Sequence, residues 1–67
     1  MNAARLAKSN RLQRVAKLLH DRQWHSTRDI IREAQVCAVN SIMAELKRNN
    51  FQYECRRSGD VWYYRQA

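Results

Sequence analysis

The sequence predicts an α+β domain in which three helices are followed by a C-terminal β-hairpin. Two observations lead to this prediction. Apolar residues recur at helical spacing in three segments up to Asn50, whereas apolar and polar residues alternate as in a strand from Tyr53 onward. The 67 residues suffice for one domain with a thin core, which leaves little room for a deep catalytic cavity.

The first helix is predicted over residues 10–22. Ser9 or Asn10 is a suitable N-cap, because either side chain can accept a hydrogen bond from a free backbone amide. Residues 1–9 are expected to form an N-terminal arm or an extension of this helix, and residues 10–67 to form the domain. The helix has an apolar stripe that consists of Leu12, Val15, Ala16 and Leu19.

The second helix is predicted to begin with a capping box. The Ser26 hydroxyl can accept a hydrogen bond from the Asp29 amide, while the Asp29 carboxylate can reach back to the start of the helix. The helix is short and is expected to end near Ala34. A short strand is expected just before it, at Trp24 and His25.

The third helix is predicted over residues 38–49. It is expected to end at Asn49 and Asn50, because asparagine tolerates the left-handed conformation of a helix C-terminus. A tight connection over residues 35–38 joins it to the second helix, so the two are predicted to form a helix-turn-helix. The apolar stripe of the third helix consists of Val39, Ile42, Met43 and Leu46.

The hairpin is predicted to have Ser58 and Gly59 as its two loop residues. Directly opposed residues share a face in an antiparallel ladder, so this register assigns each side chain to a face. In this register three pairs of residues lie directly opposite each other: Arg57 and Asp60, Cys55 and Trp62, and Tyr53 and Tyr64. The other face carries Glu54, Arg56, Val61 and Tyr63. The core is expected to include Trp24, Tyr53, Trp62 and Tyr64, together with the free cysteines Cys37 and Cys55.

The chain is strongly basic, with 13 Lys and Arg residues against six Asp and Glu and a formal net charge of +7. Such a balance favours polyanions, with nucleic acid first and an anionic membrane surface second. No apolar run is long enough for a transmembrane helix or a secretion signal, so we expect no membrane partner and a cytoplasmic location. The single glycine excludes glycine-rich phosphate loops, and the two distant cysteines do not have zinc-ligand spacing. We therefore expect no cofactor and no metal.

The predicted order of elements resembles the winged helix-turn-helix superfamily, and in particular its small phage and prophage DNA-binding proteins. The resemblance extends from Leu12 to Arg65. It implies that the third helix enters the major groove, that the hairpin lies beside it as a wing, and that the protein acts in the cytoplasm or nucleoid of a bacterial host. It rests on these runs of residues: Trp24-His25-Ser26-Thr27, Ala38-Val39-Asn40-Ser41, Ala44-Glu45-Leu46-Lys47-Arg48, Glu54-Cys55-Arg56-Arg57 and Tyr64-Arg65.

The polar face of the third helix is expected to read bases. Asparagine can pair with adenine and arginine with guanine, serine can bond either partner, and alanine can contact the thymine methyl group. The predicted base-reading residues are Asn40, Ser41, Ala44 and Arg48. Contacts to the DNA backbone are predicted at the start of the second helix, at the end of the third and in the hairpin. These residues are Thr27, Arg28, Lys47, Arg56, Arg57 and Arg65.

The sequence thus predicts a non-enzymatic protein that binds double-stranded DNA sequence-specifically, as a small transcriptional regulator or a recombination accessory factor. One copy buries little surface, so we expect a homodimer or cooperative copies on adjacent sites. The alternative is a module that inhibits a host protein, with Val61 and Tyr63 as its anchor. RNA binding through the hairpin requires exposed aromatic residues, which the predicted register denies. Glu45 and Lys47 match part of a nuclease motif, but that motif lies on a strand and they are predicted on a helix.

Overall fold

The computed structural model of the protein describes residues 9–67, so residues 1–8 of the predicted arm lie outside the described residues. Over this range the chain forms three helices and a three-stranded antiparallel sheet, which confirms the α+β prediction. The elements in chain order are α1 (Asn10–Leu19), β1 (His25–Ser26), α2 (Thr27–Ala34), α3 (Val39–Arg48), β2 (Tyr53–Ser58) and β3 (Val61–Gln66).

Helix α1 begins as predicted and ends early. The Ser9 hydroxyl accepts a hydrogen bond from the Leu12 amide at 3.4 Å and caps the helix. The prediction that the helix continues to Arg22 was wrong, because Arg22 has a φ of 61° and its amide bonds back to the Leu19 carbonyl at 3.0 Å. This left-handed residue turns the chain toward β1.

Local side-chain and backbone hydrogen bonds set the ends of α2 and α3. The Ser26 hydroxyl accepts from the Asp29 amide at 3.1 Å, which confirms the predicted N-cap, whereas the Asp29 carboxylate accepts from Arg32. Gln35 ends α2 with a φ of 55°, the left-handed conformation that glycine more often supplies. Asn50, with a φ of 64°, follows the end of α3 as predicted.

The hairpin β2–β3 is formed, but its predicted register was wrong. Ser58 opposes Val61, so the two-residue loop consists of Gly59 and Asp60. Gly59 has a φ of 61° at the first loop position, as a type II′ turn requires. The predicted pairing differs from the observed one by two residues. Because successive side chains of a strand point to opposite faces of the sheet, a shift of two leaves each side chain on the same face. The predicted division of the strands into two faces is therefore kept.

The sheet has the order β1-β3-β2, because the short strand β1 pairs with β3 rather than with its neighbour in sequence. The helices pack on one face of the sheet around a shared core. The apolar stripes of α1 and α3 are buried there as predicted, with Ala16 partly buried. Within residues 9–67 the core consists of Leu12, Val15, Leu19, Ile30, Ala34, Val36, Val39, Ile42, Met43, Leu46 and Tyr64.

Four core predictions fail, those for Trp24, Trp62, Cys37 and Cys55, and the reason differs between them. Tyr64 is buried and Tyr53 half-buried, but Trp62, nearer the tip, is 44% exposed. Cys55 lies directly opposite the buried Tyr64 but is exposed on the edge strand β2, and Cys37 is exposed in the connection between α2 and α3. Trp24 is half-buried in the loop before β1 and lies outside the core. The hairpin projects past the helices, so side chains near its tip have no core to pack against.

Candidate nucleic-acid interface

Helix α3 presents a polar face to solvent, opposite its four buried residues. All four predicted base-reading residues are exposed on this helix, and so is Lys47: Asn40, Ser41, Ala44, Lys47 and Arg48. The one carboxylate of α3, on Glu45, is paired with Arg11 of α1 at 3.5 Å. The exposed face of α3 therefore carries hydrogen-bonding and cationic groups, with its negative charge partly offset by α1.

A concave surface separates α3 from the hairpin, and we name it the α3–hairpin groove. It has a volume of about 410 Å³, and none of its lining residues carries a carboxylate. Its lining consists of Asn40, Met43, Ala44, Lys47, Tyr53, Cys55, Trp62 and Tyr64. Ser41 lies on the other side of α3, where it lines a cavity next to Arg11 and Arg14 of α1. The structure thus places Asn40 and Ala44 on the groove side of α3 and Ser41 on the α1 side, while Arg48 is exposed and lines neither surface.

The side chain of Asn40 is hydrogen-bonded to a residue of the sheet. The Tyr64 hydroxyl donates a hydrogen bond to Asn40 Oδ1 at 3.4 Å, which leaves the exposed amide nitrogen of Asn40 available to an external acceptor. Burial raises the pKa of Tyr64, and the nearby Cys55 and Tyr53 raise it further, so the hydroxyl stays protonated and can donate. Sequence reasoning missed this contact because 24 residues separate the two partners.

The start of α2 is tied to the hairpin rather than left free. The Thr27 hydroxyl donates to the backbone carbonyl of Trp62 at 3.3 Å, so this predicted phosphate contact already has a structural partner. Arg28, the next residue, is exposed. The hydrogen bond fixes the position of β3 at Trp62, beside the groove.

The three predicted hairpin arginines lie on two faces of the sheet. Arg57 lies on the groove face, directly opposite Trp62 in the ladder, and its Nε donates to the Gly59 carbonyl at 2.7 Å. Arg56 and Arg65 lie on the outer face. Their guanidinium carbons are 4.8 Å and 4.7 Å from the centre of the Trp24 ring, and Arg65 Nε also donates to Glu54 at 2.6 Å. We name Trp24, Arg56 and Arg65 the outer-face stack.

The loop that carries Trp24 is braced by Asp21. The carboxylate accepts a hydrogen bond from the Gln23 amide at 2.8 Å and lies 2.9 Å from His25 Nε2. These two contacts, with the backbone hydrogen bond the larger, lower the pKa of Asp21 from its ordinary value of 3.8. The same loop carries the indole of Trp24, which lies against the two arginines.

Residues 9–67 contain neither a cluster of metal-ligating side chains nor a membrane-spanning helix. No group of three or more His, Cys, Asp or Glu side chains there is arranged to hold a metal ion. Nor is any helix in that range long and apolar enough to cross a membrane.

No protein-family model matches the chain, and neither a curated protein nor a solved structure matches it significantly. The geometry of the described residues is therefore the basis for assigning a function.

Proposed function

We propose that the protein binds double-stranded DNA sequence-specifically and that it has a winged helix-turn-helix arrangement. In this arrangement α2 and α3 are the helix-turn-helix and the hairpin β2–β3 is the wing. The order of the elements, the sheet order β1-β3-β2 and the exposed α3 face beside the hairpin support this reading. Helix α3 would then lie in the major groove, with the hairpin along the neighbouring strand.

The exposed face of α3 is the observation that carries the proposal. Asn40, Ala44 and Arg48 present an amide, a methyl group and a guanidinium on that face. These groups match, in order, the edge of adenine, the methyl group of thymine and the edge of guanine in the major groove. We assign base reading to these three residues, with Ser41 at the margin of the site on the α1 side.

Affinity comes from cations around this face. Arg28, Lys47 and Arg57 are exposed, and the whole chain has a formal net charge of +7. Their contacts to phosphates release counterions, which makes binding strong and salt-dependent without selecting a sequence. Because one copy of so small a domain buries little DNA surface, we propose that two or more copies bind adjacent sites. A small transcriptional regulator or recombination accessory factor in bacterial cytoplasm fits this chemistry.

Selection of bound duplexes from a random DNA pool at two salt concentrations tests the proposal. We expect an enriched sequence motif that persists at the higher salt concentration, and its symmetry and spacing will give the number of bound copies. Loss of all binding with rising salt, and no enriched motif, would leave only nonspecific attraction to a basic surface and would refute the proposal.

A matched pair of variants tests the role of α3 within that experiment. Arg48→Ala removes a cation from the proposed reading face, whereas Lys17→Ala removes a cation from α1, beside Asp21 and Glu33. We expect Arg48→Ala to relax the preference at one base position by about 1–3 kcal/mol. Lys17→Ala should leave the motif unchanged. An identical motif for both variants would remove Arg48 from the reading face.

A protein-interaction module is the second candidate, and the exposure of Val61 favours it. Val61 is 40% exposed on the outer face of the hairpin, where Tyr63 is half-buried, and it could anchor a protein partner. Binding of that kind would depend little on salt. A bound protein whose affinity falls with Val61→Asp, combined with no enriched DNA motif, would favour this second candidate.

A further inference from the structure

We propose that Trp62 contacts DNA, and that its indole packs against the one sugar–phosphate strand that enters the α3–hairpin groove when α3 lies in the major groove of a duplex. The proposal rests on the DNA-binding function proposed above and adds to it an uncharged affinity contact. No sequence pattern indicated it, because the alternation of the strand predicted Trp62 to be a core residue.

The exposure of Trp62 is the first observation. Its side chain is 44% exposed, more than that of any other large hydrophobic residue within residues 9–67. Its backbone is nevertheless fixed, since the Trp62 carbonyl accepts a hydrogen bond from Thr27 and the residue pairs with Arg57 in the ladder. Because the backbone is already ordered and tryptophan has only two side-chain torsions, the residue loses little conformational freedom when it binds a ligand.

The charge around the indole is the second observation. Lys47 lines the same groove, Arg57 lies directly opposite Trp62, and no lining residue is acidic. The occupant that fits is therefore anionic and also has an apolar surface. A nucleic-acid strand has both properties, because its phosphates can meet the two cations while a deoxyribose ring packs against the indole.

The position of the indole favours contact with the sugar–phosphate backbone rather than with the base edges. Trp62 is on the hairpin side of the groove, whereas the proposed base-reading residues Asn40 and Ala44 are on the α3 side. With α3 in the major groove, a hairpin beside it faces the backbone that borders that groove. An indole there contributes to the affinity for every duplex and does not change the preferred sequence.

The salt dependence of three variants separates this contact from a charged one. We measure the affinity for one selected duplex, one unrelated duplex and a separated single strand over a series of salt concentrations. Trp62→Ala should weaken binding to both duplexes about tenfold, the size expected when an indole loses roughly 50 Å² of apolar contact area. The slope of log affinity against log salt should not change. Lys47→Ala should lower that slope by about 0.9, as expected for one lost phosphate contact.

Val61→Ala is the matched control, since Val61 is the neighbouring residue, is 40% exposed and lies on the opposite face of the same strand. We expect it to leave the affinity unchanged. Equal losses for Trp62→Ala and Val61→Ala would overturn the proposal. It would also be overturned if Trp62→Ala weakened binding to single strands alone, because the indole would then stack on unpaired bases.

Fluorescence provides a direct readout of the contact. The chain has two tryptophans, so Trp24→Phe leaves Trp62 as the single tryptophan, which can be excited selectively over the tyrosines, and keeps an aromatic ring beside the arginines. Bound duplex should protect Trp62 from quenching by acrylamide. Unchanged quenching by a protein that binds duplex normally would overturn this proposal and leave the DNA-binding function intact. Absence of duplex binding in the unmodified protein would overturn both.

Discussion

The two faces of the hairpin carry the same residue types, tryptophan and arginine, but these residues make different contacts on each face. On the outer face, Trp24 is half-buried with two guanidiniums against its ring, and Arg65 is further paired with Glu54. On the groove face, Trp62 is 44% exposed and has a cation opposite it in the ladder, at Arg57. The aromatic and cationic groups of the outer face contact one another, whereas on the groove face Trp62 is open to a ligand and Arg57 uses only its Nε, on the Gly59 carbonyl.

This difference shows that residue type alone does not separate a structural cluster from a binding surface. Arginine next to tryptophan stabilises a fold when each is the other's partner, and cation–π contacts at exposed sites contribute about 0.5–1 kcal/mol each. The same pair of residue types contributes to binding when the geometry leaves the indole in solvent. The comparison predicts opposite effects for variants on the two faces.

Stability provides the largest contrast. We expect Trp24→Ala to lower the free energy of unfolding by about 2 kcal/mol, because it removes a half-buried ring and two cation–π contacts. Trp62→Ala should lower it by less than about 0.5 kcal/mol, as exposed substitutions do. Chemical denaturation followed by circular dichroism measures both. Equal losses would mean that Trp62 also supports the fold, which the comparison does not allow.

The hairpin arginines provide the next contrast. Arg57→Ala should weaken DNA binding by about 1 kcal/mol and lower the salt slope by about 0.9. Arg56→Ala removes a cation that is already stacked on Trp24, so it should affect stability more than DNA binding. Affinity measured over a salt series compares the two variants. A larger loss of affinity for Arg56→Ala would show that the outer-face stack meets the DNA.

Removal of one hydroxyl should have a smaller effect. Tyr64→Phe keeps the buried ring but removes the hydrogen bond to Asn40, which at 3.4 Å is a long one. We expect a loss of about 0.5 kcal/mol in discrimination at the base read by Asn40. Affinities for duplexes that differ at that position test this. Retained discrimination in Tyr64→Phe and its loss in Asn40→Ala would show that Asn40 needs no support from Tyr64.

The pH dependence of stability should show the smallest effect. The pKa of Asp21 is lower in the folded protein than its ordinary value of 3.8, so its ionised form stabilises the fold above that pH. This contribution is lost as pH falls through the depressed pKa. Asp21→Asn should therefore be less stable than the unmodified protein at neutral pH, and the difference should shrink in acid. Denaturation curves at several pH values test this, and a difference that grows in acid would contradict it.

Local patterns predicted much of the fold. The apolar stripes of α1 and α3 and the Ser26 cap depend on residues close in sequence, and all appear in the structure. The hairpin loop was misplaced because the sequence does not say at which loop position Gly59 takes its positive φ. The division of the strands into faces survived, because the error was a shift of two residues.

The candidate site was less predictable because its contacts are distant in sequence. No local sequence pattern indicates the hydrogen bond from Thr27 to the Trp62 carbonyl. Nor does one indicate that the guanidiniums of Arg56 and Arg65 lie over the Trp24 ring. The alternation of polar and apolar residues correctly assigned Trp62 to the same face as Tyr64, which is the groove face. It does not indicate how far the hairpin extends beyond the core. That distance decides whether an inner-face residue is buried, as Tyr64 is, or exposed.

Titration of the isotope-labelled protein with a selected duplex, followed by NMR, tests most directly which face binds DNA. The two indole signals report one face each, Trp62 for the groove and Trp24 for the outer-face stack. DNA binding through α3 and the groove face predicts large shifts for the Trp62 indole and for the amides of Asn40, Ala44 and Arg48, with little change at Trp24. Shifts that centre on Trp24, with α3 and Trp62 unaffected, would contradict it.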